Sequence, residues 1–371
     1  MVLSNELYLK SKGNIMLGSK TVLIENDLLQ KYKKSFSWFN ICSINAKILC
    51  SGIKRIFFHK ENNLTAPIFN WINAQYALGL LSSKNSDINK VLIRYYKRLI
   101  NFIFSKKVLF NSPNQYLHMI VVFRLFQINQ DKCFKKFLDR AVKQLFSEYS
   151  PNDLLNYWKG EEIFYIDLLG MILPFLFEYG TYNKDQRLVQ LAETQLDYTI
   201  KMCKKEESLL PFHMYDTNTN EHFGSKYWGR GCGWYLLGLL TGSIYNPKKY
   251  KKEFLSLLRY IQRQINFDGF LYDDLKEKNH IDTSITSMFA VSYIVALDNN
   301  WINDSEYTEI IKVVEALCRS VNEKGEVENC SGECLGANKY SKNFGNYFAQ
   351  GYTLITLNLI KNSEKLKSLF I

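Results

Sequence analysis

Apolar residues recur at helical spacing in about twelve segments between Ile41 and Ile360, and this pattern is the main constraint on the fold. The connectors between the segments alternate in character. Some are short and polar, whereas others are long and rich in Gly, Asn, Asp and aromatic residues: Leu209–Trp228, Asn266–His280 and Asn322–Asn346. This alternation favours helical hairpins closed into a ring, with short loops at one rim and long functional loops at the other.

We therefore predict an all-α fold, an (α/α)6 barrel of six helical hairpins. The alternatives are a generic all-α domain and an open solenoid, but no solenoid repeat motif is visible in the sequence. The predicted helices are Ile41–Ile53, Ile68–Leu81, Ile88–Phe104, Leu117–Phe126, Cys133–Phe146, Tyr165–Tyr179, Arg187–Met202, Gly233–Ser243, Lys251–Ile265, Thr283–Leu297, Ser305–Val321 and Phe348–Ile360.

Residues 1–35 lack this periodicity, and we expect them to form an N-terminal lead-in. Short strands are predicted there around Leu7–Leu9 and Thr21–Ile24. No Pro/Gly/Ser-rich linker and no shift in composition follows, so residues 36–371 are predicted to be a single (α/α)6-barrel domain.

The formal net charge of +11 raises the question of an acidic partner, such as nucleic acid, an anionic membrane or a uronic-acid polysaccharide. The lysines are scattered and no nucleic-acid motif accompanies them, so a generally Lys-rich composition explains most of the charge. No apolar run is long enough to span a bilayer, and the N-terminus does not resemble a secretory signal. We expect a cytoplasmic protein without a nucleic-acid or membrane partner.

The stretch Tyr227–Leu240 places Arg230 between Trp228 and Trp234, with glycine at alternate positions around the arginine. Such glycines suit a backbone that turns tightly or approaches another group closely. The guanidinium fork matches a carboxylate, and an indole offers a flat face on which a sugar ring can stack. The alternative is a structural plug in which the arginine stacks on tryptophan. The uncharged second half of the stretch predicts a buried helix.

Asp167 is a lone acid among apolar residues in the segment Tyr165–Met171. A desolvated carboxyl group favours its protonated form and can act as a general acid near neutral pH. The alternative is that Asp167 caps the backbone of its own helix.

The loop before Tyr227 contains His213 and Asp216 on either side of an aromatic residue. A histidine in this place could orient a substrate or share a proton, although a bond to a backbone carbonyl is the commoner role. Asp282 is interpreted as a helix N-cap. Cys232, next to Arg230, is a weaker candidate for a nucleophile, because no base that would activate it is identifiable.

In this order the segments resemble the unsaturated uronyl hydrolases of glycoside hydrolase families 105 and 88. The similar elements cover about residues 150–360, and the Trp-Gly-Arg-Gly motif is the most specific of them. They are Tyr165–Met171, His213–Asp216, Trp228–Trp234, Asp268–Gly269, Asp282–Phe289 and Gly351–Ile355.

The resemblance implies an (α/α)6 barrel and a metal-free reaction without a cofactor on an acidic oligosaccharide that carries a 4,5 double bond. Asp167 would be the general acid and base. His213, Asp216 and Arg230 would bind substrate, and Trp228 and Trp234 would stack on the sugar.

The sequence departs from the family pattern at two places. The family has a second aspartate at the mouth of an earlier helix, where this chain has Asn111–Gln115, with Asn114 as the candidate for contact with substrate. An asparagine can hold a hydroxyl group or a water, but it cannot share a charge. Cys232 stands where the full family motif, Trp-Gly-Arg-Gly-Asn-Gly-Trp, has its asparagine. These changes keep open a second function, that of a catalytically altered or non-catalytic saccharide-binding accessory protein on the same scaffold.

A third possibility is another (α/α)6 enzyme, such as a sugar epimerase or a polysaccharide lyase. These need a His or Tyr base that removes a carbon-bound proton. The candidates in long loops are His213, His222 and His280, and two of them facing one another would favour this function.

Overall fold

The computed structural model describes residues 17–31, 71–106, 113–157, 160–303, 307–332, 348–363 and 366. The helices in these ranges are α1 (17–31), α2 (Trp71–Ser82), α3 (Ser86–Lys106), α4 (Leu117–Asn129), α5 (Lys132–Glu148), α6 (Asp167–Met171), α7 (Leu173–Asn183), α8 (Gln186–Lys205), α9 (Gly229–Tyr245), α10 (Pro247–Gln262), α11 (Thr283–Asp298), α12 (Tyr307–Arg319) and α13 (Gln350–Asn362). The strands are β1 (Ile163–Tyr165), β2 (Met214–Asp216) and β3 (His222–Phe223).

The helices divide into an inner and an outer set by how much of their surface is buried. Helix α9 is buried at every residue from Gly229 to Ser243, and α11 is buried along nearly its whole length. Helices α3, α5, α8, α10 and α12 are amphipathic and bury one apolar stripe, as expected of an outer layer. None of these helices, in the part of the chain that the structure describes, is long and apolar enough to cross a membrane.

The inner helices form a closed ring. Helix α2 packs on α4, α4 on α7, the pair α6–α7 on α9, α9 on α11, α11 on α13, and α13 returns to α2. The last contact is made at glycines: a Cβ atom on Gly351 would lie 2.2 Å from the backbone oxygen of Gln75, and one on Gly79 would lie 2.9 Å from the oxygen of Gly351. The predicted (α/α)6 barrel is therefore confirmed.

Residues at the starts of the inner helices meet at one rim. Trp71, at the start of α2, stacks on Phe348, just before α13, with ring centroids 5.1 Å apart. Asp282, before α11, bonds to Ser331, in the segment before α13. In the described residues, the long connectors 206–228 and 263–282 precede inner helices and so lie at this rim, whereas the short loops 83–85, 130–131 and 184–185 follow inner helices at the far rim.

Within the described residues, the predicted helices agree with the structure except for one division and two starts that differ by four residues. The predicted helix Tyr165–Tyr179 is divided into the end of β1 and helices α6 and α7. Helix α9 begins at Gly229 rather than Gly233, and α10 begins at Pro247 rather than Lys251. Residues 17–31 form helix α1, so the strand predicted at Thr21–Ile24 is wrong. The predicted strand Leu7–Leu9 and helix Ile41–Ile53 lie outside the described residues.

Helix α1 is helical because its apolar residues recur at helical and not at strand spacing. Leu17, Ile24 and Leu28 are buried in the common core. Gln350 donates to the carboxylate of Asp27 at 2.9 Å, so α1 packs beside the start of α13. The division of the chain at residue 35 stays a prediction, since the residues from 32 to 70 are not described.

The close contact between α2 and α13 predicts that Gly351→Ala destabilises the protein. The new methyl group would meet backbone rather than a movable side chain, and overpacking of this kind costs about 1–3 kcal/mol. The matched control is Gly18→Ala in α1, where a Cβ atom would meet nothing within 4 Å. Chemical denaturation of both variants checks this. Equal stability would contradict closure of the ring through Gly351.

Candidate functional site

Four of the predicted site residues lie together at the rim formed by the starts of the inner helices. The His213 Nε2 atom is 3.1 Å from Asp167 Oδ2. The His213 ring lies 4.4 Å from the Trp228 ring, and the Arg230 guanidinium carbon lies 5.3 Å from the same indole. All four side chains are buried or nearly so, and Asp167 is the most exposed of them at 9%. The structure therefore brings together an acid, an imidazole, an indole and a cation.

Backbone pairing fixes the distance between Asp167 and His213. Strand β1 pairs with β2 in antiparallel register, so that Tyr165 lies opposite Met214. One residue further, the amide of Ile166 donates to the carbonyl oxygen of His213 at 3.1 Å. Because α6 begins at Asp167, the acid follows directly on this backbone bond and its side chain reaches the imidazole.

The alternative considered for Asp167, a cap of its own helix, is not what the structure has. Ile166, not Asp167, holds the N-cap position of α6, and no side chain caps this helix. His213 is packed between the Tyr165 ring, 5.5 Å away, and Trp228, and its Nε2 atom lies against the Asp167 carboxylate. The buried imidazole and carboxylate can thus share a proton.

The guanidinium group of Arg230 is fixed from several sides. Its Nη1 donates to the backbone oxygen and to the hydroxyl of Ser331, both at 2.9 Å, and its Nη2 donates to the Gly332 oxygen at 2.6 Å. One face lies over the Phe348 ring at 4.5 Å. Arg230 therefore joins the start of α9 to the segment that leads to α13.

The glycines around Arg230 allow close approach, as predicted. A Cβ atom on Gly229 would lie 2.2 Å from the Tyr272 backbone oxygen, and one on Gly231 would lie 2.4 Å from the Trp228 ring. The first turn of α9 can therefore pack directly on the 272–273 backbone, whose Asp273 oxygen accepts a bond from the Gly229 amide at 2.7 Å.

The remaining predicted residues are placed elsewhere. The Asp216 carboxylate accepts from the backbone amides of Asn218 and Thr219, both at 2.8 Å, and these bonds lower its pKa. It thus shapes the β2–β3 turn. Trp234 is fully buried, edge-on to Trp71 and Tyr352, and so packs inside the ring.

Asn114 lies in a short 3-10 helix, Pro113–Tyr116, that packs against α6. This brings its backbone near the helix that starts with Asp167, while its side chain is outside the described residues. Cys232 is buried and its thiol lies 3.5 Å from the Lys226 backbone oxygen. Burial raises the pKa of this thiol, so it stays neutral and does not suit a nucleophile.

The arrangement of histidines does not favour the epimerase or lyase alternative. His213 is buried against Asp167, whereas His222 and His280 are exposed on the surrounding loops. No pair of histidines from these loops faces one another in the described residues.

Three parts of the site are not indicated by the sequence pattern: Ser331, Gly332 and Phe348. Ser331 and Gly332 lie about a hundred positions from Arg230, and nothing in their neighbourhood indicates a bond to it. The only available signal was that they precede the last inner helix at the rim of the long loops.

A sequence profile of glycosyl hydrolase family 88 matches residues 54–360 of this chain. The chain belongs to glycosyl hydrolase family 88. This match covers both the segment with Asp167 and the motif around Arg230.

Solved structures share the fold of this family 88 protein at low sequence identity. A possible family 105 member from Klebsiella pneumoniae has a TM-score of 0.68 and 13% identity, over 78% of this chain and 81% of that one. Unsaturated glucuronyl hydrolase from Bacillus sp. GL1, responsible for the degradation of glycosaminoglycan, has a TM-score of 0.63 and 16% identity, over 80% of this chain and 86% of that one. A polysaccharide lyase has a TM-score of 0.59 and 15% identity, over 86% of this chain and 96% of that one. The fold alone therefore does not fix the reaction.

The resemblance predicts that Arg230 binds a uronate, so replacing Arg230 by lysine should lower both the stability of the protein and its affinity for a uronate. A lysine cannot serve two carbonyl oxygens and a hydroxyl with one rigid fork, and loss of charged hydrogen bonds costs about 1.5–3 kcal/mol. Thermal unfolding and calorimetric titration with an unsaturated glucuronyl disaccharide measure the two effects. Arg187→Lys, at the far rim, is the control. Unchanged affinity with reduced stability would mean that Arg230 is structural.

Proposed function

We propose that this protein is a glycoside hydrolase that acts on short saccharides ending in a 4,5-unsaturated uronic acid. The observation that carries the proposal is the Asp167 carboxylate, partly accessible and 3.1 Å from a buried imidazole at the loop-rich rim of the barrel. Membership of glycosyl hydrolase family 88 supports the same reaction class.

In the proposed reaction, Asp167 in its protonated form gives its proton to C4 of the vinyl ether. The double bond is consumed, and a water molecule adds its hydroxyl group at C5 while its remaining proton returns to Asp167. The resulting hemiketal opens to a ketone, which leaves C1 as a hemiacetal. This hemiacetal collapses to an aldehyde and releases the rest of the saccharide. The overall change consumes one water, and Asp167 acts in turn as acid and base.

The residues around Asp167 have complementary tasks in this scheme. His213 holds the carboxyl group in place and can exchange a proton with it. Trp228 is a flat apolar wall beside the His213 imidazole. Arg230 has five N–H groups, and its three hydrogen bonds within the described residues go to residues 331 and 332. Among those residues, two N–H groups are left for a substrate carboxylate.

The segment Asn111–Gln115 is the observation that favours a second function. It contains amides and no acid where the family has its second aspartate. A chain that binds the same saccharides with little or no turnover is the alternative, and it predicts binding without consumption of the double bond.

The test is the ultraviolet absorbance of the conjugated uronate after the protein is mixed with unsaturated disaccharides from several lyases. We expect the absorbance to fall, and Asp167→Asn to slow this by at least about 100-fold, because the amide keeps the shape and removes the proton donor.

Asp131→Asn is the matched control, since this aspartate caps α5 at the far rim and asparagine is an equally good N-cap. It should turn over like the wild type. Normal turnover by Asp167→Asn would show that Asp167 is not the acid. Calorimetric binding without loss of absorbance across the panel would favour the accessory function.

A further inference from the structure

Asp282 is more than the predicted helix cap. Its Oδ1 accepts from the amide and hydroxyl of Ser284 at 2.8 and 2.7 Å, which confirms its role as N-cap of α11. Its Oδ2 has another partner, the hydroxyl of Ser331 at 2.6 Å, and the amide of Ser331 donates to Oδ1 at 3.2 Å. The carboxylate is completely buried, so its charge must be compensated inside the protein.

Ser331 connects this buried anion to a buried cation. A hydroxyl group has one hydrogen and two lone pairs. The hydrogen goes to Asp282, and the oxygen accepts from Arg230 Nη1 at 2.9 Å. The backbone oxygen of the same residue is a second acceptor for Nη1. Asp282 and Arg230 are thus linked through a single serine.

The link restricts how the guanidinium group can turn. Nη1 is held by Ser331, Nη2 by Gly332, and the faces lie against the Trp228 and Phe348 rings. In the part of the chain that the structure describes, the edge with the remaining N–H groups is what is left for a ligand. Rotation of the Arg230 side chain would break its bond to the Ser331 hydroxyl group. Through this bond the Asp282 carboxylate offsets the charge of the guanidinium group.

We propose that Ser331 is a positioning residue for recognition of the substrate carboxylate: its hydroxyl group, polarised by Asp282, fixes Arg230 in the orientation that binds a uronate. This rests on the proposed function, in which Arg230 meets the carboxylate. Ser331 and Asp282 thereby have a role in specificity for acidic over neutral sugars. Neither helix capping nor packing requires such a role.

The test compares two probes, an unsaturated glucuronyl disaccharide and its methyl ester. The two differ in the carboxylate charge that Arg230 would bind. Ser331→Ala should raise KM for the acid about tenfold, the effect of one charged hydrogen bond, with little change in kcat and little change in KM for the ester. Ser331→Thr keeps the hydroxyl group and should restore the preference for the acid. Ser243→Ala removes another buried hydroxyl bond, at the other end of α9, and is the control.

Asp282→Asn is a second variant that keeps a cap for α11 while removing the charge, and it serves if Ser331→Ala does not fold. It too should lose the preference for the acid. Equal changes in KM for acid and ester, or no change, would overturn the inference.

If the wild type consumes neither probe, the proposed function fails, and the same comparison is made by calorimetric binding. Loss of the difference between acid and ester in Ser331→Ala would still support the inference. A wild type without any preference for the acid would overturn it.

Discussion

The closure of the inner helices into a ring is the constraint on which the rest of the structure depends. At the junction of α2 and α13 the backbones of Gln75 and Gly351 are so close that no side chain fits between them. Once the ring is closed, every inner helix starts at the same rim. Side chains from distant parts of the sequence, such as Asp167 and Ser331, then lie at one rim, and their proximity is a consequence of helix direction.

Within that rim, backbone bonds and buried charges give the site its geometry. The bond between Ile166 and His213 fixes an acid beside an imidazole, and the Asp282–Ser331–Arg230 link fixes a cation beside an indole. Both arrangements bury polar groups that are costly unless paired. The first pair is suited to moving a proton, and the second to recognising a carboxylate. A saccharide with an acidic, protonatable end matches both.

The sequence was sufficient for the features that depend on local patterns. Periodicity predicted the helices of the ring, the alternate glycines predicted a close approach, and Asp282 was identified as a cap. Strands β1 and β2 were not predicted, because a strand of three residues is too short to show alternation. The bonds of Arg230 to residues 331 and 332 depend on tertiary packing alone, and no spacing in the sequence encodes them.

The central claim is that Asp167 protonates a carbon–carbon double bond rather than a glycosidic oxygen. The most direct measurement compares release of the reducing sugar from two disaccharides with the same linkage, one with the unsaturated uronic acid and one with the saturated uronic acid. We predict release from the unsaturated disaccharide only, and none with Asp167→Asn. Release from the saturated disaccharide at a similar rate would contradict hydration of the double bond and indicate ordinary acetal hydrolysis.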